Sequence, residues 1–395
     1  MPTLPPILFF TPDPPGAIWQ DKPQIARRLA RVAPLLLVNE EPTLRGKLPW
    51  RDLARPALLR TTDGLAALSW SPLTPMTGAP LLGPLTASLR RRRLQRALER
   101  VTDEFAPPAT RHPHLAPLLW FFRPGQQHWI EQLRPRLVVY HVVDEYSAYP
   151  GLTAAQVQRQ RELDAQLTRR ADLVFCTAQS LVAERLPLNP HTYYLPNAVD
   201  FSAFSPKDLP PSPSHPPTLA VVGGINAKVD LALLAAVAEQ RPDWLLRLVG
   251  PVSYGADEAA LARLRVLPNV HFAGAVPPEQ VPAVLAACEV GLIPYRLNEQ
   301  TRHVNPLKVY EYLAAGRAVV ATSLPELVPF SPLLVRLADD ARTFVAAIAA
   351  ALAEGNTPDR VAARRAVAAA NTWDHRVAHM IELIGQRLTE TEPRA

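Results

Sequence analysis

Residues 219–250 read LAVVGGINAKVDLALLAAVAEQRPDWLLRLVG. The apolar run 219–222 ends in Gly223-Gly224, a helical pattern covers 229–239, and a second apolar run, 245–249, ends in Gly250. Short apolar runs stopped by glycine and separated by a helix-length pattern read as strand, helix, strand. The unit recurs downstream. A helix at 258–264 leads to a strand at 270–272, a helix at 279–287 to a strand at 290–293, and a helix ending at Gly316 to a strand at 318–321. Repetition of this kind predicts parallel strands joined by crossover helices, and such sheets bind ligands beyond the carboxyl ends of their strands. The loops after those strand ends therefore become the first places to look for function.

The N-terminal half carries the same alternation less cleanly. Apolar runs at 7–10 and 35–38 flank a helical pattern at 22–32, and strands are expected at 137–143, 173–176 and 192–195, with helices at 153–171 and 180–186. Residues 42–115 give little beyond a basic helix over 85–102. The segment 205–217, SPKDLPPSPSHPP, is dense in proline, which removes backbone donors and biases its neighbours to extended conformations, so it reads as a linker. The expected division is an N-terminal Rossmann-like domain at 1–204, this linker, a C-terminal Rossmann-like domain at 218–371, and a terminal amphipathic helix at 372–395 packing back on the N-terminal domain. A chain of 395 residues suits two such cores of roughly 150 to 200 residues each.

Composition narrows the function classes. The 2 cysteines, Cys176 and Cys288, lie in separate apolar segments, so they read as buried hydrophobes in a reducing, cytoplasmic setting and form no metal-ligand pattern. No apolar run approaches the ~20 residues that span a bilayer, and no segment has the form of a signal peptide. A net charge of +6 is modest for this length, and no nucleic-acid module accompanies it, so nucleic acid is not an expected partner. Arg90 to Arg93 admit two readings, a solvated helix face or a contact with anionic lipid or an anionic acceptor. Neither G-x-S-x-G nor a Walker A pattern occurs.

The segment 305–322, NPLKVYEYLAAGRAVVAT, holds the densest chemistry. Asn305 is suited to cap a helix, Pro306 to be its first residue, and Gly316 to end it. Free N–H groups at the start of such a helix attract phosphate. Lys308 and Glu311, three residues apart, share a face and offer a cation for a diphosphate and a carboxylate for ribose hydroxyls. By themselves these two residues are equally consistent with a surface ion pair.

Taken together, several segments resemble the retaining GT-B glycosyltransferases of the large family 4 type, in the subgroup of teichuronic-acid biosynthesis glycosyltransferases. They are NPLKVYEYLAAGRAVVAT, the stretches 221–252 and 267–296, YHVVDEYSAYPG at 140–151, and LPNAVD at 195–200. The resemblance implies two facing Rossmann-like domains with a cleft between them. It also implies transfer of a sugar from a nucleoside-diphosphate donor to a glycan or lipid-linked acceptor, with no tightly bound cofactor and no metal. Carried over residue by residue, it implies ribose binding by Glu311 and phosphate or sugar contact by Lys308. It implies phosphate binding by Lys228 beside Gly223 and Gly224, with Asn305, Pro306 and Leu307 in the donor loop. His303 stands where the family has a glutamate that contacts the donor sugar, and Gly224 stands where it has an arginine. His141 and Asp144, at the end of an N-domain strand, are implied to face the donor sugar; by their residue types alone, a core histidine and, for Asp144 with Glu145, a capping loop before a helix are the alternatives, and the resemblance favours a functional role for Asp144. Tyr295 is a candidate for the nucleotide base, and Gly16 and Trp19 for the first loop. Two other functions fit the same pattern: a sugar-nucleotide epimerase of the same architecture, and a catalytically weak binding subunit of a polysaccharide assembly. Peripheral membrane association through the basic run completes the expected partners.

Overall fold

The computed structural model describes residues 4–11, 21–39, 58–61, 64–68, 83–105, 116–205, 215–253 and 255–391. Gly16, Trp19 and most of the proline-rich linker lie outside the described residues.

The N-terminal half builds one sheet from β1 (Ile7–Thr11), β2 (Leu35–Asn39), β3 (Leu58–Arg60), β4 (Ala66–Leu68), β5 (Leu118–Phe121), β6 (Leu137–Val142), β7 (Leu173–Cys176) and β8 (Thr192–Tyr194). Their order across the sheet is β3-β4-β2-β1-β5-β6-β7-β8. All neighbours are parallel except β3 and β4, which pair antiparallel with Leu58 opposite Leu68. The connection between those two is too short for a crossover, which leaves an antiparallel pair as the available geometry. The C-terminal half builds a second, wholly parallel sheet from β9 (Thr218–Val222), β10 (Leu245–Val249), β11 (Val270–Gly274), β12 (Val290–Ile293), β13 (Ala318–Ala321) and β14 (Val335–Leu337), in the order β11-β10-β9-β12-β13-β14.

Both sheets are covered on both faces, which is why their central strands are continuous apolar runs without alternation. In β1, Leu8 and Phe10 point into one cluster with Leu94, Leu98 and Val101 of the helix Gly83–Phe105. Ile7 and Phe9 point into the other, with Ile25 and Leu29 of the helix Asp21–Leu29. In β9, Leu219 and Val221 face the helix Leu231–Gln240, while Ala220 and Val222 face the helix Leu307–Ala314.

The chain crosses between the halves twice, and the crossings touch. Val199 pairs with Thr372 in a parallel bridge, through Val199 N–H to Asn371 O at 3.0 Å and Trp373 N–H to Val199 O at 3.1 Å. After the second crossing the helix Trp373–Glu390 lies on the first sheet, burying Trp373, Val377, Met380 and Ile384 among Ile7, Phe9 and Leu118. Asp374 on this helix pairs with Arg28 at 2.8 Å.

Two glycines fix the close approach of β9 and β10 at their carboxyl ends. Gly250 has φ +147°, and a Cβ there would lie 1.9 Å from the carbonyl oxygen of Gly223. Backbone cannot yield as a flexible side chain does, so Gly250→Ala combines overpacking with strain and is expected to destabilise the protein by about 3 kcal/mol. Urea unfolding checks this, and an unchanged midpoint contradicts it.

Candidate donor site at the sheet switch point

β9 and β12 are neighbours, but the chain leaves them in opposite directions across the sheet. That divergence opens a crevice at their carboxyl ends. The two loops lining it are tied to each other: Asp230 N–H donates to Pro294 O at 2.7 Å and Arg296 N–H to Lys228 O at 2.8 Å, around a bridge between Val229 and Tyr295.

Beside them stands the helix Leu307–Ala314, and here the capping expectation is corrected. Pro306, not Asn305, is the cap residue, and no side chain caps the first turn. Asn305 is one residue too early and is used elsewhere. Its Oδ1 accepts from Asn197 N–H at 3.2 Å, its carbonyl from Asn197 Nδ2 at 2.7 Å, and its Nδ2 donates to Glu326 at 2.9 Å. Leu307 packs its partly buried side chain against the N-domain cluster that holds Trp373.

Lys308 and Glu311 are joined at 2.7 Å, with the carboxylate buried. Gly223 lies against them: a Cβ there would sit 3.2 Å from Lys308 Cε, so the missing side chain gives the lysine its path. A Cβ at Gly224 would meet only ordinary contacts, Asn226 Nδ2 at 3.5 Å and Ser253 Oγ at 3.9 Å. Burial holds the Tyr295 phenol above its usual range; Lys308 opposes this, and Asp144 and Glu311 reinforce it. Its bridge to Val229 sets Tyr295 between the two loops that line the crevice.

From the facing domain, Asp144 follows β6. Its Oδ1 accepts from Lys228 Nζ at 3.0 Å and its Oδ2 from Tyr149 Oη at 2.8 Å. Burial, and then the Asp144 charge, push the Tyr149 phenol far above its usual range, so this hydroxyl stays protonated and donates. Glu145 goes elsewhere: it caps the turn Tyr146–Ala148 and pairs with the buried Arg185 at 2.9 Å.

Neither His141 nor His303 is hydrogen-bonded to Lys308 or Glu311 among the described residues. His141 lies within β6, 1% exposed, stacked 5.2 Å from Phe122 and flanked by Trp120 and Phe175. This is the core environment that its apolar flanks allowed. Neither of its ring nitrogens has a hydrogen-bond partner among the described residues. His303 is fully buried at the domain junction, its Nδ1 3.0 Å from Ser180 Oγ and its Nε2 3.3 Å from Glu299.

The residue that sequence reasoning missed is Glu326. It is 6% exposed and accepts from three groups: Gln179 N–H at 2.7 Å, Tyr194 Oη at 2.6 Å and Asn305 Nδ2 at 2.9 Å. Two of these donors belong to the N-terminal half, and the third precedes the Lys308 helix. Only Pro325 beside it marked the place, as a turn. Among the described residues no group of three His, Cys, Asp or Glu is placed to hold a metal ion.

Residues 216–354, which include both lysines and Glu311, match the model of the family described as Glycosyl transferases group 1. The match covers 139 of the 395 residues. The matched stretch contains β9 and β12, between which the switch point of the second sheet lies. Over 174 residues the chain is 32% identical to TuaH of Bacillus subtilis (strain 168), a proposed teichuronic acid biosynthesis glycosyltransferase. The match covers 42% of this chain and 44% of that protein, so it spans less than half of the relative. Across nearly the full length, the backbone is similar to Anabaena HepE, solved in complex with UDP and glucose. That likeness has a TM-score of 0.66 at 15% identity and covers 96% of this chain and 99% of the other. It is equally similar to the sucrose-phosphate synthase of Thermosynechococcus elongatus, with a TM-score of 0.68 at 16% identity and coverage of 98% and 100%. At such identities the likeness carries the fold alone, and that fold is GT-B.

Two outcomes follow from this geometry. Glu326→Ala strands three donors at the junction; with unmet buried donors costing about 1–3 kcal/mol each, a loss of about 3 kcal/mol is expected in urea unfolding, partly restored in Glu326→Gln. For His141, burial, aided by Lys22, lowers the imidazole from 6.5 to about 3. The unfolded chain then takes up a proton that the folded chain refuses. This contribution to stability is complete above pH 6.5 and is lost as pH falls toward about 3, by at most about 1.4 kcal/mol per pH unit. His141→Phe should flatten that slope, and a slope unchanged from the parent would show the imidazole was never held neutral.

Proposed function

We propose that this chain transfers a sugar from a nucleoside-diphosphate sugar to a glycan or lipid-linked acceptor, with retention at the anomeric carbon, in cell-envelope polysaccharide synthesis. The observation that carries the reading is the convergence of Lys228, Lys308 and Glu311 at the switch point of the group 1 domain, facing Asp144 of the other half. A diphosphate leaving group develops negative charge as the sugar departs. Two ammonium groups and the uncapped N–H groups at the start of the helix Leu307–Ala314 are positioned to receive it. In this reading Glu311 accepts from the ribose hydroxyls, the backbone of Gly223 and Gly224 approaches the phosphates, and Tyr295 lines the base. Asp144 answers the sugar, and His141, buried among Trp120, Phe122 and Phe175, packs the strand that leads to Asp144 and does not itself meet the sugar. The likeness to TuaH supports the envelope setting, and the UDP and glucose bound by HepE make UDP the first donor base to try.

A peripheral membrane contact belongs to the same proposal. On the helix Gly83–Phe105, Arg91, Arg92, Arg96 and Arg100 are exposed together with Leu89 and Phe105. Arg90 turns inward, so the basic surface is a stripe along the helix and not the four-residue run itself. Such a stripe suits anionic headgroups near a lipid-linked acceptor.

The test is thermal stabilisation by UDP, GDP, ADP and dTDP, run on the parent and on Lys308→Ala. Saturation at about 100 times Kd adds roughly 2.7 kcal/mol of stability, so one nucleotide should raise Tm clearly. Lys308→Ala should lose most of that shift and lower transfer at least 100-fold, in line with the loss of one charge-stabilising donor. No shift with any nucleotide would remove the donor reading.

A further inference from the structure

Lys228 leaves the end of β9 in one half of the molecule, and Asp144 leaves the end of β6 in the other, so their 3.0 Å ion pair is a bond between the two halves. We infer that Asp144 is the resident counter-ion of Lys228, an internal stand-in for phosphate that a nucleoside diphosphate must displace. The inference rests on the donor reading above and adds to it a competition built into the chain.

Three features support an exchange over a fixed strut. The pair is neither sealed nor washed out: the side chains are 23% and 20% exposed, so a charged ligand can reach the ammonium while water screens the pair only in part. Asp144 does not depend on Lys228 alone, because Tyr149 Oη holds Oδ2 at 2.8 Å; when the ammonium leaves, the carboxylate keeps a donor and its place. The other site lysine is arranged differently. Lys308 is paired with Glu311 on its own helix, so its partner moves with it. Of these two lysine pairs, that of Lys228 is the one that couples ligand charge to contact between the halves. A diphosphate that takes Lys228 loosens that tie and leaves Asp144, still held by Tyr149, free to accept a hydroxyl from the sugar.

The competition predicts a gain of affinity from removing a site carboxylate. Calorimetric titration of UDP, GDP, ADP and dTDP into the parent, Asp144→Asn, Asp144→Ala, Tyr149→Phe and Lys228→Ala reads it directly. For whichever nucleotide binds, both Asp144 variants should bind about five-fold tighter, as expected for release of a partly exposed ion pair. Lys228→Ala should bind more weakly. Tyr149→Phe keeps the carboxylate charge and should show no gain, which separates charge from packing. Unchanged or weaker binding in both Asp144 variants, with Lys228→Ala weakened, overturns the exchange while leaving the donor site standing. Failure of all four nucleotides to bind the parent overturns the donor reading and the exchange together.

Discussion

Parallel strands cannot be joined by tight turns; each pair needs a crossover that returns the chain to the same starting edge. This constraint places the carboxyl ends of the parallel strands along one edge of each sheet. It also forces a divergence wherever the chain begins to build the sheet in the other direction, here between β9 and β12. Everything of chemical interest in the C-terminal half follows from that divergence. The glycines that let β9 and β10 end close together, the loop carrying Lys228, and the helix carrying Lys308 and Glu311 all lie at this edge.

The second sheet was the more legible one in the sequence. Its strands β9, β10, β12 and β13 are buried on both faces and bounded by glycine or proline, so run length and punctuation suffice to find them. In the first half β5 escaped notice although it is central. LLWF is only four residues long, and it follows a stretch with no periodic pattern. The pairing of β3 with β4 was equally hidden, since three-residue strands on an edge bury too little to impose an alternation. β14, also three residues, was missed for the same reason.

The site was legible where proximity is local and illegible where it is not. Spacing alone put Lys308 and Glu311 on one face, and the ion pair between them is what that spacing gives. No spacing rule could bring Asp144 to Lys228, Ser180 to His303, or Gln179 and Tyr194 to Glu326, because each contact joins residues from different halves. Asn305 shows the limit within a single segment. A good cap residue by type, it is drawn into the junction between the halves, and the helix begins one residue later on a proline with no side-chain cap. Tertiary demand outweighed local propensity there by offering the same amide more partners.

The return of the final helix to the first sheet bears on how the molecule is made. Trp373, Val377, Met380 and Ile384 fill a cluster whose other members come mainly from the first two hundred residues. During synthesis the N-terminal half emerges first, yet one face of its sheet, covered in part by the helix Asp21–Leu29, lacks the rest of its cover until residue 390 has left the ribosome. The second sheet draws its strands from a single unbroken stretch, 218–337, and is complete earlier. Domains generally fold as units in order of emergence. Here the strands of the second sheet are all made before the helix Trp373–Glu390, so part of one apolar face of the first sheet stays open until a segment made after the whole second sheet arrives.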